Sequence, residues 1–182
     1  MATQKQDMPI SGELERFIRL HDGMAAMNRS WLELAPPDRL DWGTVGRCHP
    51  SLRRRPHPVT IRNLFIHVAV AENVWISALA AASENATMPA PFNKALRNGL
   101  ATGDLVAEAA GLQANTLAIV RGLTQADLYK QIVAARRRWA GIEFLWGIHA
   151  HRAFHLGHLD LYLRLNGRPT LEYFVFHPDI ID

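Results

Sequence analysis

The chain has 182 residues, 48% hydrophobic and 20% charged, a balance that suits one folded domain and excludes a disordered chain. Its net charge of +3 is small, and the basic runs Arg53–Arg55 and Arg136–Arg138 are short, so the charge does not point to nucleic acid. The single cysteine, Cys48, excludes an internal disulfide; a polar N-terminus without a secretory core, and no stretch read as apolar enough to span a bilayer, complete the expectation of a cytoplasmic, membrane-free protein.

Helical spacing of Leu14, Phe17, Ile18, His21, Met24, Ala25, Asn28 and Leu32 predicts a first helix over Gly12 to Leu34, closed by Pro36-Pro37. A long connection, Asp38 to Val59, carries Gly43, Gly46, Pro50, Pro56 and Pro58; connections of this length often drape over a functional site. Thr60 is the expected N-cap of a second helix, Ile61 to roughly Asn85, whose apolar face runs Leu64, His67, Val68, Ala71, Trp75, Ala78 and Leu79. A linker from Met88 to Gly99 leads to a third helix, about Asp104 to Gly122, with Leu105, Leu112, Ile119 and Leu123 as core contacts. Thr124 and Asp127 have capping-box spacing and open a short turn, Gln125 to Ile132. The last helix runs from about Ala140 to Leu165 and is closed by Asn166-Gly167. The tail after it, through Tyr173 and Val175, reads as a short extended segment that packs on the bundle or on a second subunit. Four main amphipathic helices predict an all-α protein, a four-helix bundle forming one domain over 1–182 with its core at about 12–167.

Histidine is the outlier, with nine in the chain and four between Ile148 and Leu159. His151 and His155 are four apart on a helix, so their imidazoles point the same way about one turn apart and can share one metal ion. His67 is the expected third ligand, since an unpaired imidazole on an apolar stripe is costly to bury and a metal shared between facing helices removes that cost. Three histidines leave one coordination position open, the usual arrangement of a catalytic site. Three imidazoles suit several divalent ions, with zinc or nickel the leading candidates.

His158, on the same face, reads as a fourth ligand, a proton shuttle or a support for the ligands, against the alternative of a solvated helix-end histidine. His21 interrupts the apolar face of the first helix; it reads as a base or substrate contact, or as a core histidine with its hydrogen bonds met. These two are the catalytic candidates. Tyr162 continues the His158 stripe towards the pocket floor or the core. His149 points away from His151 and reads as surface or interface. Glu72 is expected to flank the site without ligating, and Glu143 to reach the cavity rim or solvent. Cys48, His49, His57 and His177 carry no signal for a role.

Two segments resemble a known family. Thr60 to Trp75, TIRNLFIHVAVAENVW, resembles the second helix of the DinB/YfiT-like superfamily, where a histidine sits in a pattern like H-x-A-x-x-E-x-x-W. His151 to Gly167, HRAFHLGHLDLYLRLNG, resembles that family's H-x-x-x-H-x-G-Q motif, with His158 in place of the usual Gln. The resemblance covers roughly Leu14 to Gly167 and implies an often dimeric four-helix metalloprotein with His67, His151 and His155 as its metal triad. The family's known activities include thiol-dependent transferases and isomerases, among them bacillithiol transferases and mycothiol-dependent maleylpyruvate isomerase, and metal-dependent hydrolases.

The leading expectation is therefore a thiol-dependent transferase or isomerase using one divalent metal and a low-molecular-weight thiol, with basic loop residues holding an anionic small-molecule substrate and a homodimer as the assembly. A hydrolase or cyclase-type lyase without thiol is the second reading, favoured by the titratable His158, and a non-catalytic metal- or ligand-binding protein the third.

Overall fold

The computed structural model describes residues 10–43 and 59–170. Arg53–Arg55, Cys48, His49, His57 and the tail with Tyr173, Val175 and His177 lie outside them. In chain order the elements are α1 (Ile10–Leu34), a 3-10 turn (Pro37–Arg39), α2 (Ile61–Ala81), β1 (Ala86–Thr87), α3 (Lys94–Thr102), α4 (Leu105–Arg121), α5 (Gln125–Tyr129), β2 (Gln131–Ala134), β3 (Arg137–Ala140) and α6 (Gly141–Leu165).

The four long helices, α1, α2, α4 and α6, form the expected bundle. Each of α1 and α2 packs against both α4 and α6, so α1 and α2 stand on a diagonal. Helices joined by a short turn become neighbours, whereas reaching the diagonal position takes a longer connection. That is a physical reason for the length of the segment between α1 and α2. Its ends are brought together by an antiparallel bridge between Gly43 and Thr60, and a Cβ on Gly43 would fall 2.2 Å from the Val59 carbonyl oxygen, so only glycine fits there.

Local chemistry sets the helix ends. Asn63 N–H donates to the Thr60 hydroxyl at the start of α2, as expected of an N-cap. Asp104 accepts from Val106 N–H and Ala107 N–H to open α4. Thr124 and Asp127 complete a reciprocal capping box at α5. Glu143, exposed, accepts from Ala140 N–H and so caps α6.

Four expectations are corrected. α2 ends at Ala81, because Ala82 leaves the helical region and residues 82–88 serve a sheet. The linker contains the amphipathic helix α3, capped by Asn93, which buries Leu100 against α2 and α4. The turn after Thr124 stops at Tyr129, and β2 begins two residues later. α2 also reaches the length and apolarity of a bilayer span, with mean hydropathy 1.6 in its most apolar window. Its apolarity matches its place in the bundle, between α3, α4 and α6, and its buried residues include Glu72 and Asn73.

The three-stranded sheet, in the order β1-β2-β3, is the principal feature not expected from sequence. β1 pairs in parallel with β2, and β2 with β3 as a hairpin in which Ala134 faces Arg137. The hairpin turns through Ala135 and Arg136, with φ of 50° and 62°. Two left-handed residues in a two-residue loop make the turn that matches strand twist. The core has two parts. Met27, Trp31, Ile61, Leu64, Leu159 and Leu163 fill one, and Phe17, Ile76, Leu79, Ile132, Leu145 and Ile148 fill the other beneath the sheet. Of the contacts expected on α4, Leu105 and Leu123 are buried, while Leu112 and Ile119 are half-buried against the core.

Candidate metal centre

α2 presents His67 towards α6, and α6 returns His151 and His155 from consecutive turns. The three sequence-predicted ligands meet: His67 Nε2 lies 3.3 Å from His151 Nε2, which lies 3.2 Å from His155 Nε2. One ligand atom from each ring falls within 4.8 Å of the others. His155 is buried and the other two are half-buried.

This donor set fits a cation better than it fits hydrogen bonds. An imidazole nitrogen carries a proton or a lone pair, never both, so His151 Nε2 cannot donate to one neighbour and accept from the other. Nitrogens held at about 2.0–2.1 Å from a tetrahedral ion lie about 3.3 Å apart, the spacing of His151 Nε2 to each of the other two here. Burial pushes the His151 pKa down, with Glu72 opposing, which leaves the ring neutral with a lone pair to give. His151 Nδ1 is enclosed with no hydrogen-bond partner among the described residues.

Beside the cluster runs a buried polar network that ties all four long helices. Arg152 of α6 donates from Nε to Glu72 Oε1 of α2 at 2.8 Å and from Nη2 to Glu72 Oε2. It also donates to Asn28 Oδ1 of α1 and to Gln113 Oε1 of α4, each at 3.1 Å. His21 Nε2 lies 3.4 Å from Glu72 Oε2. Burial alone would raise the Glu72 pKa, but Arg152 and His21 outweigh it and bring it down to about 2. Sequence reasoning missed Arg152. Its signal was available: it falls on the inward stripe Leu145, Ile148, Leu156 and Leu159, where a charge needs a partner.

A cavity of about 420 Å³ opens beside the cluster, with His151, Trp75 and Phe144 in its lining.

Among solved structures, the chain is similar to YfiT from Bacillus subtilis, with a TM-score of 0.63 and 15% identity over 91% of this chain and 94% of that one. The chain has the DinB/YfiT-like fold. It is also similar to YjoA, a DinB-like protein of Bacillus subtilis, with a TM-score of 0.61 and 18% identity over 90% of this chain and 96% of that one. YfiT is described as a probable metal-dependent hydrolase with an unusual four-helix bundle topology. No family model and no curated protein matches the sequence.

Within this DinB/YfiT-like frame, His158 lies next to the cluster, its ring 5.6 Å from that of His155 and 4.7 Å from Phe154. His21 is fully buried, and its contacts run to Glu72, to Phe17, on which it stacks at 5.0 Å, and to His149. His149, read as surface or interface, lies between α6 and α1 within the chain. It is half-buried among Phe17, His21 and Trp146, and burial above all, with His21 beside it, pushes its pKa down to about 4. α1 packs on that side of α6, so the face opposite His151 is also an interior one. Glu72 flanks the cluster from inside the network, and Tyr162 packs in the core edge-on to Trp42. Arg136–Arg138 are exposed along the hairpin.

Proposed function

We propose that this protein is a metal-dependent enzyme acting on a small molecule, with one divalent ion held by His67, His151 and His155. The observation that carries the reading is the convergence of three imidazole nitrogens at ligand spacing beside a cavity. Bound there, zinc or nickel would supply a Lewis acid able to polarise a carbonyl and to acidify water or a thiol.

The chain's own residues supply the remainder. His67, His151 and His155 hold the site from two facing helices and leave a coordination position open. Arg152 and Glu72 fix the α2–α6 spacing that brings the rings together. His158, beside His155, is the side chain placed to pass a proton to or from the reacting group, and its Nδ1 is enclosed without a partner among the described residues. His21 positions Glu72 and does not touch the reacting atoms.

Hydrolysis is the reading favoured, because His158 adds a titratable group and because YfiT, of the same fold, is described as a probable metal-dependent hydrolase. Transfer or isomerisation with a low-molecular-weight thiol is the alternative, and it rests on the motif resemblance alone. A panel of esters, amides and lactones tested on tag-free, metal-loaded protein separates them. Turnover without thiol, abolished by chelator and restored by the metal, supports hydrolysis. Turnover that appears only with added thiol replaces it, and none under either condition removes the catalytic reading.

A further inference from the structure

The cavity beside His151 has a composition of its own. Trp75, Trp139, Phe144, Met88 and Ile148 supply its bulk, and small linker and hairpin residues supply the rest. At about 420 Å³ it falls within the size range of small-molecule sites. Among its lining residues His151 is the single ionisable side chain; no lysine, arginine, aspartate or glutamate faces it.

Three donors of its walls are already committed. Trp75 Nε1–H donates to the Pro89 carbonyl at 3.1 Å, and Trp139 Nε1–H donates to the Ala134 carbonyl at 3.2 Å. The Met88 backbone N–H donates to Val133 O at 2.8 Å. Both indoles are therefore held in place by their own N–H groups and offer ring surface, not a donor. Trp75 meets Phe144 edge-on at 6.1 Å and His151 edge-on at 5.1 Å, so aromatic surface runs without a break from the wall to the histidine cluster.

We propose that this cavity is the substrate subsite and takes a neutral molecule with a flat aromatic or similarly apolar body of one or two rings. A small polar reacting group on that body reaches the His151 corner. The inference rests on the metal-dependent reading above for the reacting end, and on the lining alone for the body. An anionic body would lose its water shell against a lining that holds no lysine or arginine and whose two indole N–H groups are already bonded. This departs from the anionic substrate anticipated on sequence grounds. The walls come from α2, the linker, the hairpin and α6, and one of those four, the hairpin, was not legible in the sequence.

The test uses probes with a common metal-binding head. Nickel- or zinc-loaded protein is titrated with acetohydroxamate, 2-naphthohydroxamate and 6-carboxy-2-naphthohydroxamate. Metal-free protein is titrated with 2-naphthol, which lacks that head. The neutral naphthyl probe is expected to bind at least about tenfold more tightly than the methyl probe, and the carboxylated probe more weakly than the neutral one. A Cβ on Gly147 meets Trp139 at ordinary contact distances of 3.7 and 4.0 Å, so Gly147→Leu fills the cavity from α6. That variant is expected to lose the naphthyl preference and 2-naphthol binding while keeping its metal and its affinity for acetohydroxamate. Ala90→Phe fills from the linker side and repeats the test should Gly147→Leu fail to fold. Equal affinity for the methyl and naphthyl probes, or preference for the carboxylated one, overturns the proposal. If the protein takes up no metal, the metal-dependent reading fails separately, and 2-naphthol decides the cavity: binding lost in the filled variants sustains it, and no binding overturns it.

Discussion

Arg152 and Glu72 form a doubly hydrogen-bonded ion pair, both side chains almost completely enclosed, one residue from His151 on α6 and five from His67 on α2. The pair and the histidine cluster are two ties between the same two helices. Asn28 and Gln113 extend the first tie to α1 and α4.

A buried pair gives limited net stability when intact and costs much when halved, because the survivor stays buried and unpaired. Glu72→Ala is therefore expected to lower unfolding stability by about 3–5 kcal/mol, read as a fall in the urea midpoint. The double variant Glu72→Leu/Arg152→Met should recover most of that loss. If the double variant is as unstable as the single, the pair is not the coupled unit described.

The same carboxylate sets an acid limit. The folded-state pKa of Glu72 is down to about 2 from 4.5, and that of Asp127 is down to about 2 from 3.8, the latter through the Thr124 hydroxyl and backbone and Lys130. Folded values below unfolded ones mean that the unfolded chain binds protons first on acidification. Their contribution is complete above the unfolded values and is lost as pH falls towards 2. Urea midpoints measured from pH 6 to pH 2.5 should drop steeply below about pH 4.5. Asp127→Asn should be less stable at neutral pH and show a shallower drop. An unchanged slope in that variant contradicts the assignment.

The β2–β3 turn places Ala135 and Arg136 in the left-handed region, which costs residues with a Cβ about 1–2 kcal/mol each. Asparagine followed by glycine is the pair that such a turn favours. The double substitution Ala135→Asn/Arg136→Gly should therefore raise stability by about 1 kcal/mol. A fall in the thermal midpoint would show that the turn is not of this kind.

That turn also explains what the sequence concealed. The long helices were legible because Leu14, Phe17 and Met24, or Leu64, Val68 and Ala71, recur at 3.6-residue spacing, and because Thr60 announces the start of α2, as Thr124 does for the short α5. The hairpin lacked the Asn-Gly or Gly-rich pair that marks such turns, and its strands are four residues each, so no period-2 pattern could build. β1, at two residues, exists only through its pairing with β2. At the site, the histidine cluster could be read because two of its members sit at i and i+4 and the third interrupts an apolar stripe. Arg152 was overlooked because its partners come from three other helices, and the packing of His149 on α1 was not legible because facing away from His151 is not the same as facing solvent.

The central claim is that His67, His151 and His155 hold one divalent ion between α2 and α6. Metal analysis of tag-free protein, beside His155→Ala and His67→Ala variants shown by circular dichroism to be folded, tests it most directly. The account predicts about one zinc or nickel ion per chain in the native protein and a marked loss in both variants. Equal metal content in all three, or none in any after incubation with the ions, would contradict it.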